Sequence, residues 1–392
     1  MDQRTPLDLT FDAVAAARAA SLSAAQRAAS QDHDDGFPTE DVADLARLGL
    51  LAAPVPRKMG GAGLGEEPGA RMLSEVLRLV GYGCLALGRL YEGHVNALQL
   101  IARYGDAGQH ARLFADARAG HLFGVWNTEP AVDGLVLEHG EEALLLSGVK
   151  TFASGAGFVT RALVTARAPS GNGTLMLVVP LETGTRADLS AWRAHGMRAS
   201  ATGTLDFGGI ILSTEAVLGD VDDYFRQPVF SGGAWRFASV QLGGIEAVFD
   251  AWRAHLIRVG RGADPHQLAR LGEGAIAVEG ARQWVVQAAA IVTEGRLHPE
   301  RIVAFVNLTR LAVEKAGLDV LQLAQRSVGL QGFLRTHALE RLSRDLATYL
   351  RQPGPDRALT AAAAEILTTD DMAGDLWIGG EPSVGRMQSA GR

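Results

Sequence analysis

The sequence predicts an α+β protein assembled as helices, then strands, then helices. Two changes of texture carry that reading. Up to Gly120 the chain is rich in Ala, Leu and Arg with apolar residues at helical spacing, whereas from His121 it breaks into short apolar runs separated by Gly, Asn and Pro. After Gly219 long amphipathic stretches return. A chain of 392 residues also exceeds what one hydrophobic core usually serves, so several packed units are expected.

The elements follow in order. Phe11 to Ala29 is Ala-dominated and helix-forming, and Asp32-His33-Asp34-Asp35-Gly36 ends it. Pro38 and a capping Thr39 start a second helix, with Val42, Leu45, Ala46 and Leu48 on one face before Gly49. Gly60-Gly61-Ala62-Gly63 lacks both a preceding strand and a following Lys-Ser/Thr pair, so it reads as a turn rather than a phosphate cradle. Helices are expected at Met72–Val80, Leu85–Tyr104 and around His110 and Phe114. Leu122–Trp126, Ala143–Leu146, Ala162–Ala166, Leu175–Val179 and Thr204–Leu212 predict a small antiparallel β unit. Helices follow at Ala234–Val259, His266–Val292, Glu300–Gln325 and Leu334–Leu350, then a loosely packed tail from Thr369. The units expected are 1–120, 121–222 and 223–368, with 369–392 as tail.

Composition narrows the function. The chain is 47% apolar, 6% aromatic and 21% charged, with a net charge of −7, which argues against a broad phosphate-backbone surface and so against nucleic acid. Cys84 is the only cysteine, so neither an intrachain disulfide nor a thiolate-rich metal site is available, and no metal is expected. Met1 to Leu9 lacks a basic cluster followed by an apolar stretch, and no apolar run is long enough to span a bilayer. A cytoplasmic protein acting on a small molecule is the expectation, with no membrane partner.

Two segments of the β unit carry a pattern: Phe123-Gly124-Val125-Trp126-Asn127-Thr128-Glu129-Pro130, and Leu146-Ser147-Gly148-Val149-Lys150-Thr151-Phe152-Ala153-Ser154-Gly155-Ala156. They resemble the flavin-binding strands of the acyl-CoA dehydrogenase superfamily. Further matches occur in the family's order: Phe37-Pro38-Thr39-Glu40, Gly60-Gly61-Ala62-Gly63, His195-Gly196-Met197-Arg198-Ala199-Ser200-Ala201-Thr202-Gly203, Val217-Leu218-Gly219 and Arg341-Leu342-Ser343-Arg344-Asp345. The resemblance implies an N-terminal helical domain, a middle antiparallel β-barrel domain and a C-terminal four-helix bundle. It also implies FAD, with FMN or an exchanging reduced flavin as alternatives, in a homodimer or homotetramer.

An isoalloxazine ring needs an apolar wall and hydrogen-bond donors along its polar edge. By the resemblance, Trp126 and Phe152 would supply walls, Thr128 and Ser154 hydroxyls, and Asn127 and Ala153 backbone groups. Without that context the two aromatics read equally as strand core. Gly134 stands where the family has a pyrophosphate-binding serine. The adenine-side turns correspond to a segment beginning at Arg258 and to Gly329-Leu330-Gln331-Gly332-Phe333, both altered, with Gly329, Gln331 and Gly332 as the candidate contacts.

The family's α-proton base is a glutamate nine residues beyond an arginine that corresponds to Arg344, and Pro353 holds that place here. The alternative slot, on the first helix after the β unit, holds Trp235 ahead of Arg236. Glu246, Glu273, Glu279 and Glu314 read as ion-pair partners on helical faces. The chain is also similar to reduced-flavin monooxygenases of the dibenzothiophene monooxygenase type, which need no such base. In that reading His94 and Ser154 are relay candidates and Arg351 replaces an expected histidine; His94 reads equally as a helix-face residue and Arg351 as a surface one. Three functions stay open. The first is acyl-CoA or acyl-thioester CH–CH oxidation, with an electron-transfer partner. The second is oxygenation, with a flavin-reductase partner, and the third a silent flavin-binding or assembly protein.

Overall fold

The computed structural model describes residues 11–66, 69–140 and 143–379. The reading of Met1 to Leu9, and of the tail from 380 onward, lies outside them. The first helices are α1 (Ala13–Gln31), α2 (Thr39–Arg47), α3 (Ala70–Gly83), α4 (Leu85–Tyr104) and α5 (Ala107–Arg118). Asp12 caps α1 through Val14 and Ala15, and Asp106 with Gln109 forms a capping box on α5. Thr39 is the first helical residue of α2 rather than its cap, which is Pro38.

Ten strands follow: β1 (Phe123–Trp126), β2 (Val136–His139), β3 (Leu144–Ser147), β4 (Val149–Ala153), β5 (Arg161–Arg167), β6 (Thr174–Pro180), β7 (Ala187–Asp188), β8 (Gly203–Asp206), β9 (Ile210–Leu212) and β10 (Val217–Leu218). They correct the expected antiparallel barrel. One sheet runs β10-β6-β5-β2-β3-β9 with β1 also on β5, a second runs β4-β8-β7, and among the described residues neither closes. The larger sheet is mixed, because β1 and β2 both lie parallel to β5. Phe123 to Trp126 pair with Arg161 to Val164, and Val136 pairs with Arg167, so β1 and β2 follow one another along one edge of β5. The chain between them, from Asn127, leaves the sheet at that break.

Last come α6 (Val229–Gly232), α7 (Trp235–Arg258), α8 (Pro265–Glu294), α9 (Pro299–Val328), α10 (Ala338–Tyr349) and α11 (Pro355–Ile366). Helices α7, α8 and α9 pack on one another, α10 lies on α7 and α9, and α11 lies on α9. The N-terminal helices join this bundle through α3, which crosses α7 with almost no space between backbones. A Cβ at Gly243 would come within 2.6 Å of the Tyr82 amide, and one at Gly81 within 3.0 Å of Val240. Ser74 and Ser239 hydrogen bond across that crossing at 3.1 Å, and Tyr82 donates to Asp250 at 3.0 Å.

The part of the tail described is packed, contrary to expectation. Trp377 sits edge-on to Phe305 at 5.2 Å, and Arg301 pairs with Asp371 at 2.7 Å, so an aromatic and an ion pair hold it to the start of α9. No helix among the described residues is long and apolar enough to cross a membrane.

Candidate active site

The two patterned segments of the β unit meet. Buried Lys150 donates to the Asn127 carbonyl at 3.0 Å, to Thr165 at 3.0 Å and to Glu129 at 2.8 Å. Thr151 N–H donates to the Thr128 carbonyl at 2.9 Å, and the Trp126 indole donates to the Ser154 carbonyl at 3.0 Å. Burial pulls the Lys150 ammonium down and the Glu129 carboxylate pushes it back up, with a net lowering. This one cation thus anchors the loop that leaves the sheet after β1 to the strand that follows.

Strand β4 is irregular between Lys150 and Ala153, and Phe152 there has φ 53°, a left-handed conformation uncommon for an aromatic residue. The twist turns its ring outward, 65% exposed and edge-on to Trp192 at 6.4 Å, while Ala153 is buried. Thr128 is exposed, and Asn127 is half-buried with its side-chain oxygen accepting from Thr165 at 2.8 Å. At Gly134 a Cβ would meet the Glu129 carboxylate at 2.7 Å, so a serine would not fit without displacing the partner of Lys150. Ser154 lines a small hollow with Arg89, Gly93, Gly124 and Trp126, and its hydroxyl is linked to Thr202 at 3.3 Å and onward to Ser200 at 2.7 Å.

Other candidates lie apart. His94 is fully buried on α4, with Nε2 at 2.8 Å from the Leu51 carbonyl and Nδ1 accepting the Phe123 N–H at 3.1 Å. Burial outweighs the Leu51 bond and lowers its pKa to about 4. Both nitrogens are spent on backbone. Arg351 is exposed and pairs with Glu314 at 3.1 Å. Arg258, at the end of α7, lies 3.1 Å from His255 and 3.4 Å from His337, which follows the Gly329–Phe333 turn in the chain. Gln331 is exposed there and Gly332 buried.

A cavity of about 900 Å3 opens between α4, the start of α7, α9 and the α10–α11 turn. Pro353 lines it, and so do Ala234 and Arg236 on either side of buried Trp235. Of the two positions at which the resemblance looks for a base, Pro353 lines the cavity and Trp235 is buried behind its wall, and neither supplies a carboxylate. Glu246 pairs with Arg78, Glu279 with Arg282 and Glu314 with Arg351, while Glu273 is exposed.

Sequence reasoning passed over Glu92. It is 4% exposed and lines the cavity, but Arg89 donates to one oxygen at 2.6 Å and Asn96 to the other. Arg236 in turn donates to the Asn96 side-chain oxygen, which completes a row Arg89–Glu92–Asn96–Arg236 across α4 and α7. The signal was present in the spacing, since Arg89, Glu92 and Asn96 recur at i, i+3 and i+7 along one face of a largely buried helix.

The family models for the acyl-CoA dehydrogenase N-terminal domain and C-terminal domain match residues 12–121 and 226–367. The chain belongs to the acyl-CoA dehydrogenase superfamily. Members of this superfamily are flavin-dependent oxidoreductases. Among its relatives, a dibenzothiophene monooxygenase of Rhodococcus erythropolis is 24% identical, over 86% of this chain and 89% of its own length. A short-chain-specific acyl-CoA dehydrogenase of Clostridium acetobutylicum is 26% identical over 81% and 86%. A similar fold is seen in TdsC of Paenibacillus sp. A11-2, solved with FMN and indole, with a TM-score of 0.80, 17% identity and coverage of 91% and 97%.

Proposed function

We propose that this acyl-CoA dehydrogenase superfamily member is a flavin-dependent monooxygenase that oxidises a small molecule held in the cavity beside Pro353. The observation that carries this reading is a cavity in which Pro353 occupies one base position and Glu92, the buried acid of its wall, has both oxygens already engaged. A proton abstraction that needs a free carboxylate is poorly served there, whereas oxygen transfer does not require one.

The residues present fit a flavin. The out-turned Phe152 ring, the exposed Thr128 and the Ser154 hydroxyl chain offer an aromatic wall and a polar edge. Reduced flavin would supply two electrons to dioxygen, one oxygen atom passing to the substrate and the other leaving as water. The chain's part is to hold the ring, exclude water and pass a proton through Ser154, Thr202 and Ser200. In this reading His94 is a positioning residue that holds β1 against α4, and Arg351 is a surface residue. FMN exchanging from a reductase is favoured over tightly held FAD, because Arg258 is engaged with His255 and His337. A homodimer or homotetramer is the assembly that goes with this reading.

A second reading, CH–CH oxidation of an acyl-CoA, is favoured by Glu92 lining the cavity. It requires Arg89 or Asn96 to release that carboxylate. Purified protein with added FMN, NADH and a flavin reductase should incorporate oxygen from dioxygen into an aromatic probe such as indole, and butyryl-CoA should leave the oxidised flavin spectrum unchanged without air. Anaerobic bleaching by butyryl-CoA would refute the oxygenase reading, and failure to bind FMN or FAD at all would leave the silent binding or assembly protein.

A further inference from the structure

Three polar side chains in the cavity have capacity that the protein itself does not use. Arg236 donates through Nε to Asn96, lies with its carbon 5.8 Å over the Trp235 ring, and among the described residues has no carboxylate in ion-pair distance. Its outer nitrogen rests on Gly233, where the absence of a Cβ makes room for it. Arg310, on α9, donates to the Pro353 carbonyl at 2.7 Å and lies 5.7 Å over the Phe237 ring. The nearest acid on its own helix, Glu314, ion-pairs with Arg351 at 3.1 Å and reaches Arg310 through its charge alone. Asn307 sits one helical turn before Arg310 on the same face, is 8% exposed, lines the cavity, and makes no side-chain hydrogen bond.

A half-buried guanidinium without an acidic partner, and a carboxamide whose polar atoms face a cavity rather than the protein, are donors that a ligand entering the cavity can engage. The acids lining the cavity among the described residues are Glu66 and Glu92, against Arg103, Arg236, Arg310 and Arg357. Glu92 is matched by Arg89, and Glu66 accepts the Arg57 backbone N–H at 3.2 Å. The field inside the cavity is therefore positive.

We propose that this cavity selects an organic oxyanion, a carboxylate or sulfonate, which Arg236 and Arg310 bind with the Asn307 carboxamide. The inference rests on the cavity being the substrate site, and it names the class of substrate that site takes. The guanidiniums stay charged to accept it: burial lowers Arg236 only to about 10, with Glu92 acting against the shift. The apolar part of the wall, Phe237, Val292 and Ile302 among it, would receive the body of the molecule.

The test is binding, measured by calorimetry with and without saturating FMN. The probes are naphthalene-2-carboxylate, naphthalene-2-sulfonate and the neutral naphthalene-2-carboxamide. Both anions should bind the wild type at least about tenfold more tightly than the amide, as charge-assisted hydrogen bonds require. Arg310→Gln and Arg236→Gln should each weaken the anions about 10- to 100-fold and the amide less than about threefold, with Asn307→Ala intermediate. Equal wild-type affinity for anions and amide overturns the proposal whether or not any variant folds. So does an equal loss for all three probes.

A flavin phosphate is the other source of an oxyanion. FMN and riboflavin titrations separate the two: if Arg310→Gln loses FMN but not riboflavin, and the naphthalene preference is unaltered, the cavity serves the cofactor and the proposal fails. Anion selectivity in a protein that never oxygenates would refute the monooxygenase reading while this inference stands.

Discussion

Replacing His94 tests whether it is a structural or a proton-carrying histidine. Its imidazole is fully buried and spans two backbone groups, the Leu51 carbonyl at 2.8 Å and the Phe123 N–H at 3.1 Å. His94→Ala leaves both without a partner and opens a void beside Tyr91 and Phe123, a loss of about 3–5 kcal/mol at neutral pH. The pH dependence is the sharper signature. A histidine at about 4 in the fold titrates near 6.5 in the unfolded chain, so between those values the unfolded state holds more protons and stability rises with pH. The His94 contribution is therefore complete above about pH 6.5 and declines as the solution is acidified toward 4, by about 3 kcal/mol over the interval. Urea unfolding of the wild type and His94→Ala, followed by tryptophan fluorescence at several values between pH 7.5 and 4.5, should show the gap between them narrowing steadily. A gap that stays constant with pH refutes the reasoning, because it means the imidazole is not desolvated and is free to exchange protons with the site.

Phe152→Gly removes an outward aromatic from a left-handed backbone, so it should raise stability by about 1 kcal/mol while weakening FMN at least about tenfold in a fluorescence titration. Loss of both together would make Phe152 a packing residue. Lys150→Met should lower stability by about 2–4 kcal/mol and weaken FMN by a similar factor of ten, since it orphans the Asn127 carbonyl and Glu129; unaltered flavin affinity would show that the loop after β1 needs no such anchor. Burial raises the Asp32 carboxyl, but hydrogen bonds from Arg198 and Arg344 and their charges outweigh it and hold the group at about 2. Its contribution is present above the ordinary carboxylate value near 3.8 and lost as pH falls through about 2. Asp32→Asn should cost about 1–2 kcal/mol at pH 7, with the difference from wild type closing below pH 3 in a thermal melt series.

How much of this was legible in the sequence depends on whether the determining interactions are local. Leu85–Tyr104 is helical over the span its periodicity indicates, because its start after extended Cys84 and its end at Gly105 are set within a few residues. The parallel pairing of β1 with β5 was not legible, since nothing within Phe123–Trp126 specifies the direction of a strand nearly forty residues away. Thr204–Leu212 reads as one apolar run but folds as two strands in different sheets, with Phe207 donating its N–H to the Gly148 carbonyl at 3.0 Å between them. Two motifs that looked like separate landmarks turn out to be one contact: a Cβ at Gly196 would lie 2.6 Å from the Asp345 amide, and Asp345 accepts the Met197 N–H at 2.7 Å. That Pro353 stands where the resemblance expects a glutamate could be read from the chain alone. That Arg310 and Asn307 share a cavity with Arg236 could not, because it depends on how α9 is rotated against α7.

That rotation links the missing glutamate to the positive cavity. Arg310 donates to the carbonyl of Pro353, so a carboxylate at residue 353 would stand beside a guanidinium that has no acidic partner now. On the proposed reading, the proline in place of a glutamate and the anion site are two aspects of one difference: the charge that would neutralise the cavity is not supplied by residue 353, and a ligand would supply it. Pro353→Glu should reverse this. The new side chain would pair with Arg310, erase most of the roughly tenfold preference for naphthalene-2-carboxylate over its amide, and leave FMN affinity unchanged within about twofold. Affinity for the amide is the internal control, because it should not follow the charge. If Pro353→Glu retains full anion selectivity, the carboxylate and Arg310 do not share the cavity, and the coupling between the two changes is refuted.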